Sequence, residues 1–258
     1  MFAVLKNTAR AVVKDDAQRD ALRKSALPLL TRLYEHDLTR LAQLFGSDKA
    51  DDHDYTPHYA RHFQPLRKRR MNVLEIGVGG YDDPQAGGAS LRMWKRYFPN
   101  SNIFALDIHD KSPHEEDRIR IFRGSQNDPE FLGKIVDEIG QLDIVIDDGS
   151  HVNEHILTSF HTLWPRLAPD GIYAIEDLET AYWPEYGGDS YNLDMADTSI
   201  NFLKKRIDGL HHKENAAKSF VPGPYDAEIT QLHFYRGLCF LYKGVNDRPA
   251  KYRHHHVY

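Results

Sequence analysis

Two short segments carry acidic residues at a spacing that could do chemistry. In Ile144-Val-Ile-Asp147-Asp148-Gly-Ser-His151 and in Tyr173-Ala-Ile-Glu176-Asp177, an apolar run of strand length ends abruptly in a pair of acids. Ligands of an open parallel α/β sheet bind at the carboxyl ends of its strands. Two neighbouring strands would therefore bring Asp148, Glu176 and Asp177 into one small volume. Carboxylates gathered that closely repel one another unless a cation sits between them. A hard cation such as Mg2+ takes carboxylate and water oxygens and keeps sites open for a substrate with vicinal hydroxyls. A hydroxyl bound to a dication loses its proton more readily. His151, three residues past Asp148, is placed to take that proton. Asp147 is left outside the metal set. The plainer alternative makes these acids ordinary loop residues, with Ser150 or Asn153 capping the next helix. Two pairs on adjacent strands, one with a histidine beside it, favour the metal-assisted site.

The elements that must position these residues follow from periodicity. From residue 72 onward, strand-length apolar runs at 72–77, 102–109, 118–122, 142–148 and 171–177 alternate with amphipathic helical stretches at 90–98, 129–140 and 153–167. That alternation implies parallel βαβ units wound right-handed. A helix over 195–210 follows, and then two apolar runs within 228–244, joined around Arg236–Gly237 as an antiparallel hairpin. Residues 1–46 read as helical, because Leu27, Leu30, Leu33, Tyr34, Leu38, Leu41 and Leu44 recur at helical spacing and Gly46 suits a C-cap. The aromatic, acidic stretch 47–63 reads as a loop or short helix that could lie over a site. The expected organisation is a helical segment and lid over 1–70, an α/β domain over 71–245 and a tail over 246–258.

Composition narrows the class. A chain of 258 residues, 41% hydrophobic, can bury one full core. Its net charge of −5 offers no general attraction to nucleic acid or anionic lipid, so neither is expected as a partner. The basic run Arg67–Lys68–Arg69–Arg70 reads as a solvated turn before a strand. Cys239 stands alone, which excludes a disulfide within the chain and fits a reduced, cytoplasmic setting. No apolar stretch approaches the roughly 18 residues of a membrane span, and the first 20 residues turn charged too early for a signal peptide. The amphipathic N-terminal helix points to a homo-oligomer or to a cover for the sheet. His254–His255–His256 is given no metal role.

A second cluster lies where the first strand meets the first helix. In Glu75-Ile-Gly77-Val-Gly79-Gly80 the glycines admit positive φ and a close approach to a ligand. Glu75, two residues before Gly77, resembles the acidic-x-Gly-x-Gly motif of S-adenosylmethionine (SAM) methyltransferases. Asp107, ending the second strand, is placed to accept ribose hydroxyls. Tyr81 stands where a third glycine is common, and the loop runs on to Ser90. This puts Asp107 about 30 residues past Gly77, against roughly 20 in a dinucleotide fingerprint, and makes a nicotinamide oxidoreductase the weaker reading. Gly87, Gly88 and Ser90 would close the loop on the amino-acid end of SAM. Gln126, in Ser125–Asp128 after the third strand, would fall on the adenine side.

Five stretches together resemble the macrolide deoxysugar O-methyltransferases: VLEIGVGGYDDPQAGGASLRMWKRYFP (73–99), IHDKSP (108–113), GSQNDPEFL (124–132), IDDGSHVNEH (146–155) and IEDLETAYWPEYGG (175–188). The resemblance spans about residues 45–244. It implies the class I SAM-dependent methyltransferase fold, a Rossmann-like sheet of seven strands with one antiparallel. It also implies SAM as methyl donor and an essential Mg2+, with metal ligands on Asp148, Glu176 and Asp177 and the general base on His151. The front end departs from the pattern, since some 70 residues precede the first strand where the family carries a longer region. The expected acceptor is a hydroxyl of a glycoside or oligosaccharide, with a mannoside and a macrolide deoxysugar both open. His53, Tyr55, Tyr59, Trp183 and Tyr186 are candidate sugar-stacking or lid residues. A catechol or other phenolic diol is the alternative acceptor, and SAM binding without catalysis is the alternative outside enzymes.

Overall fold

The computed structural model describes residues 16–215, 217 and 219–250, with the backbone alone for 16–24. It divides into two compact units between Arg67 and Lys68. The C-terminal histidine tract and residues 1–15 of the expected N-terminal helix lie outside the described residues.

The first unit is helical: α1 (Asp16–Leu33), α2 (Leu38–Phe45), α3 (Asp48–Asp51) and α4 (Thr56–Phe63). The helix expected to run through to residue 46 is broken at 34–37. There the Asp37 carboxylate accepts the Arg40 N–H (2.9 Å) and starts a new helix. Gly46 ends α2 in the left-handed region (φ 77°), as its position suggested. Leu38, Leu41 and Ala42 form the buried side of α2. Within 47–63, Tyr55 and Tyr59 are buried (3% and 0% exposed), and Tyr59 packs on Phe63 with ring centroids 5.1 Å apart. Neither presents a free stacking face. Arg67 corrects the reading of the basic run. It is buried, donating Nε–H to Glu35 O (3.0 Å) and pairing with the Glu35 carboxylate (3.4 Å), while Lys68–Arg70 stay exposed.

The second unit is an α/β sheet with strands β1 (Asn72–Ile76), β2 (Asn102–Asp107), β3 (Ile119–Arg123), β4 (Leu142–Asp147), β5 (Leu167–Ile175), β6 (Ile229–Tyr235) and β7 (Leu238–Lys243). Their order is β3-β2-β1-β4-β5-β7-β6. The first five strands are mutually parallel, and β7 runs against both of its neighbours. This is the seven-stranded layout with one reversed strand that the sequence predicted. The connecting helices are α5 (Ala89–Tyr97), α6 (Pro129–Ile139), α7 (Asn153–Leu163) and α8 (Ser199–Leu210). Strand β5 begins four residues earlier than its apolar run suggested, beyond a register shift opposite Leu142 and Ile144.

Fully buried side chains pack the sheet against its helices. Phe160 of α7 lies 5.1 Å from the ring of Trp164 and 5.0 Å from that of Tyr173 on β5. Each such side chain contributes roughly 1.5–3 kcal/mol by leaving water. β1 has β2 on one side and β4 on the other. The chain order reverses there, which opens a crevice at the strands' carboxyl ends. Among the described residues no helix is long and apolar enough to cross a membrane.

Candidate active site

β4 and β5 are neighbours in register, Asp147 opposite Ile175, so their acidic ends meet. The Glu176 N–H donates to Asp147 O (3.0 Å) and the Asp148 N–H to Ile76 O (3.0 Å). Beyond these bonds the regular ladder ends. Asp148, His151 and Asp177 then offer ligand atoms that all lie within 4.8 Å of one another, and each is part-buried. His151 Nε2 stands 3.5 Å from Asp177 Oδ2. Both residues have left-handed backbones, His151 at φ 58° and Asp177 at φ 51°. Glu176 is buried (2% exposed) and is not part of that cluster, whereas His151 is. The two carboxylates at that spacing, partly withdrawn from water, suit a hard divalent cation, and the imidazole beside them is placed as a base.

Asp147 has a different task. It is 2% exposed, accepting Ser159 Oγ–H (2.6 Å) and Tyr173 O–H (3.3 Å) at Oδ2 and Gln126 Nε2–H (3.1 Å) at Oδ1. Burial pushes its carboxyl up to about 6, against the pull of the Ser159, Gln126 and Tyr173 hydrogen bonds and the nearby His151. Gln126 Oε1 in turn accepts the Ser150 N–H (2.7 Å). A strut thus runs from Asp147 through Gln126 to the loop that carries Asp148 and His151. Gln126, expected beside adenine, has both ends of its amide engaged in it. Gly149 makes the close passage possible, since a Cβ there would lie 2.1 Å from Gln126 Oε1. Spacing did not find Ser159 and Tyr173, because the docking of α7 brings the first to Asp147 and the pairing of β5 with β4 brings the second.

Helix capping does not account for the segment after Asp148. The N-cap of α7 is Val152, with no side-chain cap bond. Asn153 instead donates Nδ2–H to Tyr186 O (2.9 Å) and accepts the Ser199 N–H (2.7 Å), tying the start of α7 to the segments after β5. Trp183 in the first of those segments is 44% exposed, with its ring 5.9 Å from that of Tyr186.

The glycine turn lies against this cluster. Gly77, at φ 94°, donates its N–H to Leu106 O (2.8 Å), and a Cβ on it would lie 2.1 Å from Asp148 O. Gly79 and Gly80 follow, both also at positive φ. Beneath them Glu75 is fully buried and accepts Ser90 Oγ–H (2.8 Å). Asp107 accepts the Val78 N–H (3.0 Å) on Oδ2 and the His109 N–H (2.9 Å) on Oδ1. A carboxylate has about four lone-pair sites, so each oxygen retains capacity for a ribose hydroxyl. The rest of the loop is gripped by residues the motif did not nominate. Buried Lys111 donates Nζ–H to Asp83 O (2.7 Å) and Ala86 O (3.1 Å), and Arg92 donates to Gly87 O (3.1 Å).

Comparison with known proteins points one way. No family model matches the chain. It is 50% identical over 211 residues to the 8-demethyl-8-alpha-L-rhamnosyl tetracenomycin-C 2'-O-methyltransferase of Streptomyces olivaceus, covering 81% of this chain and 55% of that one. It is 48% identical over 213 residues to the mycinamicin VI 2''-O-methyltransferase of Micromonospora griseorubida, covering 82% and 53%. To the demethylmacrocin O-methyltransferase of Streptomyces fradiae it is 50% identical over 213 residues, covering 82% and 54%. The chain thus spans about half the length of the curated relatives it matches. Among solved structures, the MycE methyltransferase of the mycinamycin biosynthetic pathway, in complex with Mg and SAH, superposes with a TM-score of 0.80 at 47% identity, covering 83% of this chain and 56% of that one. The same enzyme in complex with Mg, SAH and mycinamycin VI gives 0.79.

Proposed function

Over four-fifths of its length the chain belongs with the sugar O-methyltransferases of macrolides and tetracenomycins, and from that kinship we propose that it transfers a methyl group from SAM to a sugar hydroxyl of a glycosylated small molecule. The observation that carries this reading is the Asp148–His151–Asp177 cluster at the ends of β4 and β5, against the glycine turn of β1. A Mg2+ held by Asp148 and Asp177, with Glu176 adjacent in the chain, would acidify the acceptor hydroxyl, and SAM would supply the electrophilic methyl group.

The protein's own residues do the rest. His151 accepts the hydroxyl proton at Nε2, the atom 3.5 Å from Asp177 Oδ2, and that carboxylate steadies the imidazolium formed. The freed oxygen takes the methyl group as the donor's C–S bond breaks. The turn Gly77–Gly80, with Glu75 and Ser90 below it, receives the amino-acid end of the donor, and Asp107 receives its ribose. Gln126 acts from beneath, holding Ser150 and so the loop that bears Asp148 and His151. Fixing donor and acceptor in line is where such a site gains most of its rate. Exposed Trp183 supports a role in stacking on the sugar. Leu29 and Leu33 of α1, 72% and 64% exposed, support self-association through that helix.

The test is a methyl-transfer assay with SAM and Mg2+ over rhamnosides, mannosides and macrolide glycosides, with catechols in parallel. Product and SAH should form with at least one glycoside. Transfer to catechols alone, or to no acceptor, would overturn the reading.

A further inference from the structure

We propose that Thr180 is a positioning residue that sets the spacing between His151 and Asp177, through a hydroxyl shared between the backbones of the β4 and β5 loops. The inference deepens the metal-assisted reading above and rests on it. Past the last bond of the β4–β5 ladder, from Glu176 N–H to Asp147 O, each segment turns through a left-handed non-glycine residue. Such a conformation costs roughly 1–2 kcal/mol per residue, so it persists only where the surroundings over-determine it. Thr180 provides that constraint for both residues. Its Oγ1 lies 2.9 Å from His151 O and 2.9 Å from Asp177 O.

The two acceptors are not equivalent. Asp177 O already receives the Thr180 backbone N–H at 3.1 Å. The hydroxyl proton is therefore available to His151 O, across the gap between the loops. Thr180 is 3% exposed, so water does not compete for that bond, and branching at Cβ restricts its χ1. Fixing the His151 carbonyl fixes the peptide plane next to its Cα, and with it the direction from which the imidazole leaves. The same threonine anchors the turn that begins at Asp177. One side chain thus governs both ends of the 3.5 Å contact between Nε2 and Oδ2. The Asn153 bonds to Tyr186 O and Ser199 N–H tie the start of α7 to later segments and touch neither His151 nor Asp177.

Thr180→Val keeps the shape and deletes the donor, while Thr180→Ser keeps the donor. Mn2+ followed by electron paramagnetic resonance serves as the metal probe, and calorimetry gives the SAM affinity. Thr180→Val should weaken Mn2+ binding about 10- to 100-fold, the usual effect of losing a partner that orients ligands, with SAM affinity changed by less than about twofold. Thr180→Ser should bind Mn2+ like the wild type. Thr180→Ala, which cannot overpack the site, carries the same expectation as Thr180→Val. Unchanged Mn2+ affinity in a valine or alanine variant that still binds SAM would overturn the proposal, as would equal weakening by serine. A wild-type protein that binds no Mn2+ would instead overturn the metal reading beneath it.

Discussion

His151 and Asp177 face each other across the ends of two adjacent parallel strands, Nε2 to Oδ2 at 3.5 Å, each from a left-handed backbone turn. Histidine and aspartate are among the few non-glycine residues that adopt this conformation with any frequency. Its occurrence at both partners of one contact places the strain where the chemistry is proposed.

His151→Ala removes the proposed base and should lower kcat by roughly 10²- to 10⁴-fold, the usual worth of a positioned proton acceptor. Asp148→Ala should abolish transfer. SAM affinity, measured by calorimetry, should be nearly unchanged in both variants. Wild-type turnover by either would rule out the assigned roles.

Chelation separates metal from donor. Excess EDTA should stop transfer and added Mg2+ should restore it, because the clustered carboxylates serve the acceptor side. SAM binding should survive EDTA, since the glycine turn, Asp107 and Glu75 do not belong to the cluster of potential metal ligands. Undiminished activity in chelator would refute the metal dependence.

Gly77 joins the two halves of the site. Alanine there would place its Cβ 2.1 Å from Asp148 O at a φ of 94°, so backbone must move. Overpacking of this kind costs typically 1–3 kcal/mol. Gly77→Ala should lower the melting temperature by several degrees, at about 2–4 °C per kcal/mol, and should weaken SAM binding. A variant with wild-type SAM affinity would show that the close approach is not needed.

Asp147 should leave a pH signature on stability. Folding raises its carboxyl from 3.8 to about 6, so the folded chain holds that proton more tightly than the unfolded chain. The protonated acid favours the folded state. That contribution is complete below the unfolded value and is lost as pH rises to about 6, at a cost on the order of 3 kcal/mol. The melting temperature of wild type minus that of Asp147→Asn, measured without metal, should fall between pH 4 and 6 and level off above. A difference independent of pH would remove Asp147 as its source.

Cys239 is fully buried in β7, and burial pushes its thiol well above the ordinary range. A thiol reagent at pH 8 should label the protein only after denaturation. Rapid labelling of the folded protein would contradict the placement of this strand.

Most of the sheet was legible because buried parallel strands are short continuous apolar runs with sharp ends. The break between α1 and α2 was not, since Leu33, Tyr34 and Leu38 keep helical spacing straight across it. Asp37 acts there as a cap, and the periodicity of its apolar neighbours conceals it. The burial of Arg67 is hidden for a related reason. Three of the four residues in its basic run are exposed, and nothing local reveals that Glu35, 32 positions earlier, buries the fourth.

The sequence by itself determined the succession of strands along the chain, the glycine turn and the acidic pairs that end two of the strands. It also placed Asp148 rather than Asp147 at the site but kept Glu176 together with Asp177, and only tertiary structure sets buried Glu176 apart from the Asp148–His151–Asp177 cluster. Successive residues leave a strand on opposite faces, so Asp147 turns under α7 to Ser159 and Tyr173 while Asp148 joins His151 and Asp177. Tertiary structure also recruited Gln126 and Thr180, whose partners lie 21 to 29 positions away. Hydrogen bonds of that reach depend on which strands and helices become neighbours, and a linear pattern carries no record of that.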